Sequence, residues 1–163
     1  MRIFFVSILM MLTVSIGCSA QDIFKEILSN AKTVANDPKA NLTIAKVATF
    51  KVTALQYIQE TAFKVKDTLT IKFFDDQAYC MQQFVNSFVQ DVLVNATLSN
   101  KEKKDEIIFY MNASCSNPLF NDPDTAFTLS YVNDSKHQLT PFSLDTDWTK
   151  AYAAILDHKQ KKP

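Results

Sequence analysis

A single glycine, Gly17, occurs in 163 residues, and it lies near the start of the chain. Everything after it must turn and cap its elements with residues that carry a Cβ. Backbone with positive φ, or backbone that must press close to a ligand, is cheap only for glycine. A phosphate-binding loop, a dinucleotide fingerprint and a nucleophile elbow each depend on such backbone and are excluded beyond residue 17. The calcium loop of the EF-hand is excluded on the same ground.

The first twenty residues explain where the glycine sits. Arg2 supplies a positive start, the run Ile3 to Leu12 (IFFVSILMML) is apolar, and Cys18-Ser19-Ala20 are small. That is the order of a secretory signal, with cleavage expected between Ala20 and Gln21. The apolar stretch ends by Ile16, short of the roughly 20 residues a membrane-spanning helix needs. A second ending is open. Val14-Ser15-Ile16-Gly17-Cys18 resembles a lipobox, with Ser15 where an aliphatic residue is usual. In that case Cys18 would carry lipid and hold the protein on the outer membrane, the one route to membrane contact. The expected location is secreted or periplasmic, with the outer-membrane lipoprotein as the alternative.

Removing residues 1–20 from 163 leaves 143, enough for one domain. A domain of that size buries about two-thirds of the surface of its unfolded chain, so it folds without metal or disulfide. Arg2 is the only arginine, so the exported part carries 16 lysines against 17 acids. Such a chain has neither an excess positive field nor the guanidinium fork, and nucleic acid is excluded as a partner.

Hydrophobic periodicity predicts an all-α domain over 21–163, of four or five packed helices with one irregular segment. The first helix spans about 22–35, where Ile23, Phe24, Ile27, Leu28, Ala31, Val34 and Ala35 share a face. Asp37 reads as an N-cap and Pro38 as the first residue of a second helix, about 38–61. That helix is apolar around most of its circumference and polar only along Lys46, Thr49, Thr53, Gln56 and Glu60. Residues 63–72 (FKVKDTLTIK) alternate, which predicts an extended connector. The third helix covers about 73–94. Ser99-Asn100-Lys101-Glu102 matches a capping box, which starts the fourth helix at residue 100. It runs to about 115, before Asn117-Pro118. Residues 116–144 lack helical pattern, although 127–132 (FTLSYV) has the composition of a strand. The fifth helix begins after Asp145 or Thr146 and carries the stripe Trp148, Ala151, Tyr152, Ile155 and Leu156, with a basic, frayed tail from His158.

With these segments laid out, KVATFKVTALQYI, SNPLFNDPD and TPFSLDTDWTKAYAAI resemble a family of small secreted proteins of unknown function from gut Bacteroidetes. The resemblance covers essentially the whole exported chain and implies no activity. It implies O-glycosylation at Asp-Ser/Thr-apolar motifs, matched by Asp67-Thr68-Leu69 and Asp124-Thr125-Ala126. N-x-S/T also occurs at Asn41, Asn95, Asn112 and Asn133, which matters only in a eukaryotic secretory pathway.

Chemistry-bearing residues are few. His137 lies in the irregular segment among Asp122, Asp124, Asp134, Asp145 and Asp147. One histidine beside acids is the minimum for a general base in a small hydrolase or metal-dependent enzyme. The same acids read as turn formers and helix caps. Asp75-Asp76 falls near a helix start, where acids are favoured by the dipole. The 13 phenylalanines suit a plain core or the lining of an apolar ligand pocket. The expected role is therefore a non-catalytic binding or interaction module of the periplasm or cell envelope, partnered by a protein or small ligand, without cofactor or metal. The enzyme drawing on His137 and the apolar-ligand bundle are the alternatives.

One covalent expectation follows from hairpin geometry. If the third and fourth helices fold back about the connection 95–98, Cys80 and Cys115 lie level, since they average to 97.5. Both sit on apolar stripes, Cys80 with Phe84 and Phe88, Cys115 with Met111 and Ile108. Loss of Cys18 with the signal leaves an even count in an oxidising compartment. A disulfide or two unpaired buried thiols both satisfy that pattern.

Overall fold

Residues 23–65, 69–115, 119 and 142–161 are described by a computed structural model. Within them the chain is all-α. The helices are α1 (Ile23–Ala35), α2 (Leu42–Val65), α3 (Ile71–Phe88), α4 (Asn100–Cys115) and α5 (Trp148–Lys161), and a π turn, Val89–Leu93, extends α3. The central helix is α3, which packs against α1, α2 and α5; α5 in turn packs on α4.

α1 buries Phe24, Ile27 and Ala31, positions three and four apart that form one helical stripe. Its start is capped from another helix, for the Asp75 carboxylate on α3 accepts the Phe24 N–H at 2.9 Å. Its end is closed by Asn36, whose backbone and side-chain nitrogens both donate to the Lys32 carbonyl at 3.1 and 2.9 Å.

The expected start of α2 is corrected by four residues. Pro38 does not open the helix; it occupies the second position of a tight turn closed by Ala40 N–H to the Asp37 carbonyl at 3.0 Å, where its fixed φ is favourable. The Asp37 carboxylate takes the Lys39 N–H at 2.8 Å, and the cap passes to Asn41, whose side chain accepts Thr43 N–H at 2.8 Å. α2 then buries Phe50, Ala54, Leu55, Tyr57, Ile58 and Ala62.

The extended connector over 63–72 is also corrected. Residues 63–65 complete α2, and Ile71 and Lys72 already belong to α3. The alternating letters hide a cap. Thr70 has extended backbone (φ −85°, ψ 158°), and its hydroxyl accepts the Phe73 N–H at 3.2 Å. The capping box at α4 forms as expected, with Glu102 accepting Ser99 N–H at 2.8 Å and Ser99 Oγ accepting Glu102 N–H at 3.3 Å. α5 runs to Lys161, so His158 is helical and the expected fraying there is corrected. Residues 120–141 of the irregular segment, including the possible strand 127–132, lie outside the described residues.

The core is aromatic at its centre. Phe84 meets Tyr110, Phe142 and Trp148 edge-on, with ring centroids 5.3, 5.1 and 5.5 Å apart. Phe50 reaches Phe142 and Trp148 at 5.7 and 6.0 Å. These separations are those of favourable quadrupole contacts. They draw α2, α3, α4, α5 and the approach to α5 onto one cluster. Phe84 and Phe88 are thereby core residues, not pocket walls.

Candidate functional site

Away from that cluster, α1, α2 and the last turns of α3 diverge enough to leave a cleft of about 80 Å³, open on one side. α1 contributes Ile27, Ala31 and Val34; α2 contributes Ile44, Val47 and Ala48; the π turn contributes Val89. Polar lining is confined to Asn30, Thr43, Lys51, Gln82 and Asn86. A half-enclosed apolar space with a few convergent polar groups is the usual form of a small-molecule site.

Lys51 is the unusual member. Its residue surface is 7% exposed, although lysine is among the side chains least often buried without a partner. The ammonium donates to Asn86 Oδ1 at 2.8 Å, and no carboxylate among the described residues pairs with it. Burial removes water from the charge and lowers the amine from 10.5 to about 8. The cleft therefore holds a cation at its wall that is largely stripped of solvent and, among the described residues, lacks a counter-charge.

The placement of Lys51 follows from helical spacing. Ile44, Ala48, Lys51, Leu55, Ile58 and Ala62 fall on one stripe of α2, the stripe that packs inward. The polar strip read from the sequence omits Lys51, and the residue escaped notice there. A lysine inside an apolar heptad-like row was the available signal.

Of the residues singled out for catalysis, Asp145 and Asp147 lie among the described residues, and both are engaged in structural hydrogen bonds. His137, Asp122, Asp124 and Asp134 lie outside the described residues, as do Cys18 and the two O-glycosylation threonines, Thr68 and Thr125. The Asp145 carboxylate accepts from the Ser143 hydroxyl, and its backbone carbonyl accepts Leu119 N–H at 2.6 Å. Asp147 caps α5, which begins one residue later than the expected caps allow. Burial alone would raise its carboxyl, but hydrogen bonds from Thr149 (2.7 Å), Gln77 (3.1 Å) and Lys150 outweigh that and hold it below the usual range. The Gln77 carbonyl oxygen also accepts Trp148 N–H at 2.9 Å. One buried amide on α3 thus grips the first turn of α5 twice. These acids are caps and turn formers.

The expected bond between Cys80 and Cys115 is absent, and both are free thiols. Aromatic contacts join α3 and α4, Tyr110 lying 5.3 Å from each of Phe84 and Phe88, but α4 packs chiefly on α5 and the π turn. The face also differs. Glu106, Tyr110, Ala113 and Ser114 are the buried side of α4, whereas Ile108 and Cys115 are exposed. Ser114, not Cys115, turns inward one helical turn beyond Tyr110.

A second polar group joins the far end of α5 to α4 and the π turn. Tyr110 donates to Asp91 at 2.6 Å, Lys159 pairs with the same carboxylate at 2.7 Å, and His158 stacks on Phe109 with centroids 3.9 Å apart, its Nε2 3.4 Å from Glu106. Burial, reinforced by Asp91, pushes the Tyr110 hydroxyl well above its ordinary value. A phenol that stays neutral and donates permanently to a paired acid is a brace.

Among the described residues, no helix is long and apolar enough to cross a membrane, and no three metal-ligating side chains converge. No protein-family model, curated protein or solved structure matches the chain.

Proposed function

We propose that the chain is an exported, non-catalytic binding module whose cleft between α1, α2 and α3 takes a small apolar ligand. The cleft carries this reading. Its walls are mainly apolar side chains from three helices, set apart from the aromatic cluster that forms the centre of the core. Export rests on the signal-like residues 1–20, and the resemblance to small secreted proteins of gut Bacteroidetes accords with it. A periplasmic or secreted location follows, with lipid on Cys18 as the alternative anchor.

Titration of the protein with 1-hexanol, followed by methyl NMR, tests the binding reading. Shifts are expected on Ile27, Val34, Ile44 and Val47 and should vanish when Ala31→Trp fills the cleft. No shifts, or shifts that survive the filling, overturn the reading. Mass spectrometry of the exported protein tests processing: Gln21 is the expected N-terminus, and a diacylglyceryl group on Cys18 overturns the soluble form.

A further inference from the structure

We infer that the cleft selects an aliphatic monocarboxylate, with the carboxylate set against the Lys51 ammonium and the chain lying along Ile27, Val34 and Val47. This rests on the cleft being a ligand site, as proposed above, and adds the chemistry of the head group.

Three observations lead to it. First, among the described residues Lys51 is the only charged one lining the cleft. A ligand that brought a cation would meet repulsion without relief, and a neutral one would leave the ammonium uncompensated in apolar surroundings. A single negative charge completes the site. Second, the donor count fits. An ammonium has three N–H groups, and the hydrogen bond to Asn86 is the one Lys51 makes among the described residues. The remaining donors match the two oxygens of a carboxylate. The Gln82 side chain, in a residue 8% exposed that lines the same cleft, makes no hydrogen bond to the described residues, and its amide supplies a further donor. Third, the remainder of the lining is aliphatic and the cleft is open on one side. The head group and first methylenes have room inside, and a longer chain leaves through the mouth.

Among the described residues of the lining, Lys51 sets the charge of the site. Among the described residues, the other polar groups of the cleft lining are Asn30 from α1, Thr43 from α2 and Gln82 and Asn86 from α3, none of which titrates. A carboxylate binds the protonated amine, so its affinity holds at neutral pH and falls as pH rises through about 8. Binding near and above that pH draws a proton onto Lys51.

Calorimetric titration of the full exported chain with hexanoate and with 1-hexanol, between pH 6.5 and 9.5, tests the inference. The wild type is expected to bind hexanoate at least about tenfold more tightly than hexanol at pH 6.5. The preference should decline by up to about tenfold per pH unit above 8, as one linked proton requires. Lys51→Met should bind the two equally and without pH dependence. The wild-type comparison needs no variant, so a folding defect in Lys51→Met leaves the test intact. Equal binding of the two ligands by the wild type overturns the carboxylate preference and leaves the cleft reading standing. Binding of neither overturns both. Hexanoate binding that keeps its pH dependence in Lys51→Met assigns the charge elsewhere and overturns the role of Lys51.

Discussion

Replacing Lys51 by methionine should stabilise the protein, by an amount that depends on pH. The stem of lysine is already buried, and methionine fills nearly the same space without the charge. Burial lowers the amine from 10.5 to about 8. At about 1.4 kcal/mol per unit of pKa, keeping that charge folded costs about 3 kcal/mol at pH 7. Against this, the variant deprives Asn86 Oδ1 of its donor, a loss of about 1 kcal/mol. The net expected gain at pH 7 is about 2 kcal/mol. The sign with pH follows from proton binding. Between 8 and 10.5 the unfolded chain holds more protons at this position than the folded one, so wild-type stability rises with pH across that window. By pH 9.5 the wild type should have recovered about 2 kcal/mol, and the two proteins should be nearly equal. Urea denaturation of both at pH 7 and 9.5 measures the gap directly, and other titrations cancel in the difference. A gap that does not narrow with pH, or a variant less stable at pH 7, would refute the buried, unpaired ammonium.

Gln77→Leu strips two hydrogen bonds from the buried start of α5 and should cost about 2–3 kcal/mol in urea denaturation, with faster amide exchange through the first turn of α5. Asp147→Asn should remove a stabilisation that the wild type holds above the ordinary carboxyl value of 3.8 and loses as pH falls below it, because the folded carboxyl is depressed; acid titration of the two proteins checks the window. Tyr110→Phe should cost about 1–2 kcal/mol, since Asp91 keeps Lys159 as a partner. Thiol labelling of the native protein should find two free cysteines, with Cys115 modified first because it is exposed, and because burial, with Asp76 and Asp147 nearby, raises the half-buried Cys80 thiol.

Helices announced by caps and one-sided stripes were legible in the sequence to within a few residues. Ser99 and Glu102 placed α4 at residue 100 because a capping box satisfies backbone donors by local contacts alone. The stripe Trp148, Ala151 and Ile155 placed α5 for a similar reason, as one face of it is buried and the other wet. Errors arose where local letters admit two geometries. Asp37-Pro38 suits a helix start and a tight turn equally, and the choice was made by Asn41, a better-placed cap four residues on. FKVKDTLTIK alternates because a helix end, a cap and a helix start succeed one another there. α4 misled in another way. Ile107, Ile108, Phe109, Tyr110 and Met111 give it apolar residues on every side, so its spacing does not choose a face. The choice is made by Phe84 and Phe88 across the fold, which receive Tyr110 and leave Cys115 outside. The cleft was the least legible feature. Its volume is a property of how three helices diverge, and sequence carried only the trace of a lysine in an apolar row.

The scarcity of glycine also bears on how the helices stop. The common helix ending uses a residue at positive φ, and glycine is its usual occupant. After Gly17 the chain has none, and the described ends of α1 and α3 show closures built without it. α1 ends on Asn36, whose side chain adds a second donor to the Lys32 carbonyl already bonded by its backbone N–H. α3 does not reverse at all. It widens, so that Val94 N–H donates to the Val89 carbonyl five residues back at 2.9 Å, and the chain leaves with Val94 at φ −102° and ψ −9°. Phe88, Val89 and Val94, at the two ends of the π turn, all keep negative φ, and the Val94 N–H still satisfies a carbonyl that would otherwise be left over. Its position has two consequences for the proposed site. The turn carries Asp91 to the brace formed with Tyr110 and Lys159, which anchors that end of α3. It also carries Val89 to the cleft wall beside Asn86. The geometry around Lys51 therefore depends on how α3 terminates, and Tyr110→Phe, although remote from the cleft, should weaken hexanoate binding as well as the fold; calorimetric titration that finds wild-type affinity in this variant would refute the coupling.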